Sequence, residues 1–284
     1  MRLQDAIEAA LGETVRLGNS VTGGCINHAL RGQTGAGATI FIKTNEQAPP
    51  ALFPAEAAGL QALDSAPGGC RVPKVLAVSP AFLVLEWIES GPSGPRVGES
   101  LGRGLAAQHR VTQRTYGFRA GDNYIGSTPQ PNPLIEDWVT FFAEQRLHFQ
   151  HALLRGQGRS SPELDRALDQ LLPRLATWLR LPSERPALLH GDLWGGNTLA
   201  DAQGHGVLID PAVYFGCREA DLAMTELFGG FRPEFYAAYR EVFPLEPGYE
   251  HRRDLYNLYH VLNHANLFGG SYTQQAERML RPYV

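Results

Sequence analysis

Apolar and polar positions alternate in two ways along this chain, with a period of two in the first third and a helical period beyond it. Leu3, Ile7, Ala10 and Leu11 share one face of an opening helix. From Thr14 to Phe41 the pattern reads strand, turn, strand, with Gly23-Gly24 inside the turn. Thr39-Ile40-Phe41-Ile42-Lys43 is an alternating strand, and Phe53 to Leu60 opens a helix with Pro54 near its first turn. Val72–Val78 and Ala81–Ile88 read as two further strands joined at Ser79-Pro80. The second runs into Glu89-Ser90-Gly91-Pro92-Ser93-Gly94-Pro95, the clearest lobe boundary in the sequence. We therefore expect two lobes, residues 1–88 and residues 89–284.

Beyond the boundary the expected elements are helices. Gly98 to His109 is one. After a Gly/Pro/Asn-rich loop (Gly121 to Pro133), Leu134 to Leu154 is a second, with Trp138, Phe141, Phe142 and Leu147 spaced as core. Pro162 to Arg180 reads as a third, and Glu219 to Phe228 as a fourth, ending at Gly229-Gly230. A last helix carries Tyr256, His260, Asn263, His264 and Leu267 on one stripe, which faces either a sugar-like substrate or an internal polar network.

The chemistry concentrates between Leu188 and Phe215. His190-Gly191-Asp192 and Asn197 precede a turn, Gln203 to Gly206, and then the strand Val207-Leu208-Ile209 ends on Asp210-Pro211. Phosphoryl transfer needs a carboxylate to take the acceptor hydroxyl's proton and hard oxygen ligands for Mg²⁺ on the phosphates. Kinase-type loops place the base and an amide ligand five residues apart and draw a second metal carboxylate from the next strand; Asp192, Asn197 and Asp210 occupy those places. Glu56 is positioned to pair with Lys43 and so to aim its ammonium at the α/β-phosphates. Gly23 and Gly24 let backbone N–H groups approach phosphate, although a plain hairpin explains them as well. The backbone of Glu86, Trp87 and Ile88 could bind an adenine edge or simply end a core strand. Asp221 is expected to accept backbone N–H groups of the catalytic loop.

Composition narrows the picture further. The 284 residues are 43% hydrophobic and 19% charged, with a formal net charge of −4, which gives no basic field for a nucleic acid. The opening is interrupted by Asp5 and Glu8 and reads as neither a signal peptide nor a membrane span. An odd number of cysteines (Cys25, Cys70, Cys217) suggests reduced thiols and a cytoplasmic location. Only Lys43 and Lys74 among the 25 basic residues are lysine, so each is conspicuous. Cys25, inside the glycine turn, is either an inert small residue or a thiol that oxidises and links two chains; a monomer is otherwise expected.

GGCINHA, EDWVTFFAEQRL, HGDLWGGN, DLAMTELFGGF and YNLYHVLNHANLFGG together resemble the fructosamine/ketosamine 3-kinase family, within the protein-kinase-like group that includes aminoglycoside and choline phosphotransferases. The HGD…N and IDP elements belong to the wider group, whereas Trp194-Gly195-Gly196 and the LFGGF and LNHANLFG pieces single out the ketosamine kinases. The resemblance implies an α+β, bilobal protein-kinase-like fold: an N-lobe of antiparallel sheet plus helix and a larger, mainly helical C-lobe. It implies ATP and Mg²⁺, with Asp192 as catalytic base, Asn197 and Asp210 as metal ligands, Lys43 and Glu56 on the phosphates, and Glu86 to Ile88 as adenine hinge. Trp194 would stack on the sugar of the substrate, with His264 as a second contact. The implied reaction phosphorylates O-3 of a ketosamine, free or protein-bound, and so leads to deglycation, with no activation by phosphorylation. An aminoglycoside or choline acceptor, or a silent nucleotide-binding scaffold, are the alternatives.

Overall fold

A computed structural model describes residues 2–21, 28–181 and 184–284; Gly23, Gly24 and Cys25 lie outside the described residues. The chain begins with helix α1 (Leu3–Leu11), strands β1 (Val15–Ser20), β2 (His28–Thr34) and β3 (Thr39–Thr44), helix α2 (Leu52–Asp64), and strands β4 (Val75–Val78) and β5 (Phe82–Glu86). Among the described residues these strands form a five-stranded antiparallel sheet in the order β1-β2-β3-β5-β4.

Period-two alternation sorts the two faces of that sheet. Ile40, Ile42, Phe82 and Val84 point one way and are sealed by Ile7 of α1 and by Val15. Leu83 and Leu85 point the other way, into a larger core with Phe53, Leu60 and Leu63 of α2. Each of these side chains, once fully buried, contributes roughly 1.5–3 kcal/mol. Lys43 follows Ile42 and is paired with Leu83 across β3 and β5, so the same alternation delivers its side chain to the face covered by α2. That is how an alternating strand brings a lysine to Glu56.

The remainder is mainly helical. Helix α3 (Pro95–Gln108) is followed by a short hairpin, β6 (Asn123–Ile125) and β7 (Thr128–Gln130), inside the stretch expected as loop. The helix expected from Leu134 starts instead at Trp138, because Ile135 is still paired with Tyr116 and Asp137 caps Thr140 N–H at 2.8 Å. It runs as α4 (Trp138–Phe142), a π-helical turn at Ala143–His148, and α5 (Phe149–Gly156), burying Trp138, Phe141, Phe142 and Leu147.

The single helix expected over Pro162 to Arg180 is broken into α6 (Pro162–Leu171), a 3₁₀ turn at Leu172–Arg174 and α7 (Ala176–Leu179). Pro173 has no N–H to give and its ring clashes with the carbonyl four residues back, so the α-helix stops there. Short strands β8 (Ala187–Leu189), β9 (Thr198–Ala200), β10 (Gly206–Leu208) and β11 (Tyr214–Gly216) carry the chain through the candidate site. Helices α8 (Glu219–Leu227), α9 (Pro233–Val242), α10 (Tyr249–Phe268) and α11 (Ser271–Leu280) complete it. The stripe-bearing helix is α10, which is followed by α11 and buried for most of its length. Its stripe divides: Tyr256, His260 and Asn263 are internal, and only His264 and Leu267 reach partly into solvent.

Candidate active site

Two short antiparallel ladders set the frame. β8 pairs with β11, and β9 with β10, so the loop leaving Leu189 and the segment leaving Leu208 emerge side by side. Gly191 lies at the first exit with φ +83°, and a Cβ there would stand 2.0 Å from the Ala212 carbonyl oxygen. Only glycine permits both the left-handed backbone and that approach. The His190 side chain donates through Nε2 to the Ile209 carbonyl (2.9 Å), and its Nδ1 accepts the Asp192 N–H (3.3 Å). Burial holds this imidazole below its usual pKa and hence neutral, which suits one donor and one acceptor nitrogen.

Asp221, at the start of α8, fixes the loop from behind. It accepts the N–H groups of His190 (2.7 Å) and Gly191 (2.9 Å), as its place in the sequence leads one to expect, and also meets His109 Nε2 at 3.2 Å. Asp192, two residues past His190, is half-buried. Asn197 Nδ2 donates to its backbone carbonyl (2.8 Å) and to its Oδ2 (3.0 Å). Burial pushes the Asp192 carboxyl up to about 7; Asp210 and Asp221 add to this and the Asn197 hydrogen bond opposes it.

Lys43 is 6% exposed, and its Nζ lies 2.5 Å from Glu56 Oε1 and 2.6 Å from Asp210 Oδ1. Burial alone would depress its pKa, but the two carboxylates outweigh burial and keep it an ammonium. Asp210 is the one non-glycine residue with positive φ (54°) among those described. Its side chain remains 40% exposed, with one oxygen on Lys43. The donor set suits Mg²⁺: Asn197, by giving its NH₂ to Asp192, turns its amide oxygen elsewhere, and Asp210 adds a hard carboxylate oxygen. No cluster of three or more His, Cys, Asp or Glu side chains suited to a metal occurs among the described residues. One or two protein oxygens completed by phosphate is how Mg²⁺ is commonly held on a nucleotide.

Glu86 and Trp87 use their side chains structurally. Arg71 bridges Glu86 (2.6 Å) to Asp201 (2.8 Å) in the β9–β10 turn, and Glu86 also accepts the Lys74 N–H at 3.2 Å. The Trp87 ring lies under the Arg31 guanidinium (4.8 Å) and near Phe41 (6.3 Å), and Ile88 is buried. The Glu86 and Trp87 side chains are thus both engaged with protein partners.

Trp194 is 39% exposed, its ring folded back over Gly196, where a Cβ would come within 2.2 Å of it. It does not stack on His264 directly. Phe228 stands between them, edge-on to Trp194 (6.1 Å) and 5.0 Å from His264, which in turn faces Phe268 and Tyr272. His264 Nδ1 donates to the His260 carbonyl (2.8 Å), and burial lowers its pKa, so the neutral ring keeps Nε2 as an acceptor. Phe228, Phe268 and Tyr272 are aromatic residues that pattern reading did not assign to the site, although Phe228 lies in the LFGGF piece at the end of α8.

The Lys43–Glu56–Asp210 ion cluster, the Asp192–Asn197 pair and the aromatic group around Phe228 are thus the features of this region. The sequence matches the family model described as fructosamine kinase over residues 2–284. The chain belongs to the fructosamine kinase family. It is 45% identical over 267 residues to a probable ketoamine kinase of Synechocystis sp., covering 92% of this chain and 88% of that one. It is 42% identical over 274 residues to the chloroplastic protein-ribulosamine 3-kinase of Oryza sativa subsp. indica, covering 94% and 78%. A Thermobifida fusca crystal structure assigned to fructosamine-3-kinase superposes with a TM-score of 0.91 at 33% identity, covering 98% of this chain and 97% of that one. The aminoglycoside phosphotransferase APH(4)-Ia shares the fold alone, with a TM-score of 0.64 at 16% identity over 99% and 98% of the two chains. The fold is the expected α+β, protein-kinase-like one.

Proposed function

We propose that the protein is an ATP-dependent kinase that phosphorylates O-3 of the sugar part of a ketosamine of the fructosamine or ribulosamine type. The observation that carries this reading is the joining of the Lys43–Glu56–Asp210 ion cluster to the Asp192–Asn197 pair, in a chain whose relatives are named ketoamine and protein-ribulosamine kinases. Lys43, held by Glu56, would grip the α/β-phosphates, while Asp192 takes the proton of the acceptor hydroxyl as its oxygen attacks the γ-phosphorus. Asn197 and Asp210 would hold Mg²⁺, which neutralises charge developing on the phosphates when bound. Trp194, with Phe228 and His264 behind it, would form the wall for the sugar, and the backbone of Glu86 to Ile88 the adenine edge. The 3-phosphate formed would release the amine, so that the physiological outcome is deglycation of a free or protein-bound acceptor.

We further place this activity in a cytoplasmic monomer, with residues 1–88 as the nucleotide lobe and 89–284 as the catalytic lobe. Burial pushes the Cys70 thiol up to about 12 and raises that of Cys217, as suits thiols that stay reduced. Among the described residues no helix is long and apolar enough to cross a membrane.

The test is Mg²⁺-dependent ATP consumption with fructosyl-lysine, ribulosyl-lysine, an aminoglycoside and choline, using Asp192→Asn as control. Turnover on a ketosamine that disappears in the variant is expected. Turnover confined to the aminoglycoside or choline would overturn the acceptor assignment.

A further inference from the structure

Under the segment that follows Asp210 lies a buried polar network with no part in the chemistry just described. Gln130 Nε2 donates to the Ala212 carbonyl (3.0 Å) and to Asn123 Oδ1 (2.7 Å), and Asn123 Nδ2 donates to the Val213 carbonyl (2.7 Å). The Tyr259 hydroxyl donates to Gln130 Oε1 at 2.6 Å and so fixes that amide. Asn132 bonds Asn123 (2.9 Å) and accepts from Arg146 Nη2 (2.7 Å), whose Nη1 reaches the Pro131 carbonyl (2.7 Å). Asn123, Gln130, Asn132 and Arg146 are each at most 4% exposed.

Arg146 is the costly member. It is fully buried and meets no carboxylate among the described residues; its guanidinium lies over Tyr214 (4.1 Å) and Phe141 (4.6 Å), and its Nε has no partner there. A buried cation held only by neutral oxygens and ring faces is expensive, and an apolar side chain of the same length would be cheaper. It also sits in the π-helical turn at Ala143–His148, a distortion that concentrates at functional sites.

What the network holds is the far side of Asp210. On the near side, Ile209 N–H bonds the Asn197 carbonyl (3.0 Å) and the Ile209 carbonyl accepts from His190. On the far side Ala212 N–H bonds the His190 carbonyl (2.9 Å), while the Ala212 and Val213 carbonyls are taken by Gln130 and Asn123. Asp210 between them adopts a left-handed backbone that an aspartate holds only when its surroundings over-determine it.

We propose that Arg146, Gln130 and Asn123 are positioning residues for Asp210, locking the Asp210–Tyr214 segment in its cation-binding conformation without any covalent modification. The proposal rests on the reading of Asp210 as a Mg²⁺ ligand. It is tested with Arg146→Met, which keeps the stacked chain length, and Gln130→Met, which keeps Arg146 and removes both donors. Each variant is checked by thermal melting, and ATP binding is then titrated with Mg²⁺ by calorimetry in the absence of acceptor, with Asp210→Asn alongside.

Folded variants should need about tenfold more Mg²⁺ for ATP binding, the scale of one lost buried hydrogen bond to the segment, with acceptor KM unchanged. A merely structural role would lower Tm and leave the Mg²⁺ requirement of the folded protein as in wild type, and that result overturns the proposal. Should Arg146→Met not fold, Gln130→Met decides by the same titration. An unchanged requirement in Asp210→Asn would overturn the reading of Asp210 itself. A raised requirement there, beside wild-type values in both network variants, would overturn the network proposal alone.

Discussion

The displaced pKa of Asp192 makes a prediction about stability as well as rate. Its carboxyl titrates near 3.8 in an unfolded chain and, chiefly because of burial, at about 7 in the folded protein. Between those pH values the folded state binds more protons than the unfolded state, so wild-type stability falls as pH rises and levels off above about pH 7. Each tenfold change in proton affinity is worth about 1.4 kcal/mol, which makes the full displacement about 4 kcal/mol. Asp192 is half-buried, and screening by solvent reduces the figure to about 2 kcal/mol.

Asp192→Asn abolishes this cost. The asparagine is isosteric and its amide oxygen can still accept from Asn197, which in wild type sits 3.0 Å from Asp192 Oδ2. The variant should therefore lose turnover by two orders of magnitude or more, the contribution of a general base, and yet melt about 4 °C higher than wild type at pH 8. The advantage should shrink steadily from pH 7 to pH 5. Melting curves of both proteins at pH 5, 6, 7 and 8, without Mg²⁺ or nucleotide, provide the measurement. An advantage of Asp192→Asn over wild type that is flat across this range, or one that grows toward pH 5, refutes the assignment of a burial-raised carboxyl at this position.

Three other outcomes follow from the same geometry. Lys43→Met leaves Glu56 and Asp210 without their shared cation; it should cost about 3 kcal/mol in a denaturant melt and eliminate Mg²⁺·ATP binding by calorimetry. Trp194→Ala removes an exposed ring, so steady-state kinetics should show acceptor KM raised about tenfold, KM for ATP unchanged and Tm unchanged. Gly191→Ala forces a Cβ to within 2.0 Å of the Ala212 carbonyl at φ +83°; urea unfolding should report a loss of about 3 kcal/mol, and the protein that folds should be inactive.

Elements whose signal is local were readable in the sequence. The alternation through Ile40, Ile42 and Lys43 sets both a strand and the face its lysine occupies, and from there the Glu56 pairing follows. The Asn197–Asp192 contact follows likewise from one tight turn and one short hairpin. Pro173 carried a helix-breaking signal that the apolar spacing around it obscured. β6 and β7 are three residues each, too short to show a period, and α9 and α11 lie beyond the motifs that drew attention. The network under Asp210 had no local signal at all. Gln130 and Asn123 meet partners 82 and 90 residues away, and only the folded chain shows that these amides of a loop-like stretch cap carbonyls beside the Asp210 segment.

The same limit applies to electrostatics, as Asp192 and Asp221 show. Both are aspartates followed by leucine, and burial pushes both carboxyls upward. Asp221 is the more enclosed, at 2% exposure, yet its pKa ends below the ordinary value because His109 and the N–H groups of Gly191 and His190 surround its oxygens with donors. Asp192 has a single amide donor on its side chain and two carboxylates nearby, so burial prevails. The count of donors, together with the charges nearby and not the depth of burial alone, decides which carboxylate stays ionised to orient the loop and which can take up a proton. That count is set by where the end of α3 meets the start of α8, since His109 follows the one and Asp221 lies in the other. A single residue type thereby serves as loop anchor and as candidate base on opposite sides of one short loop.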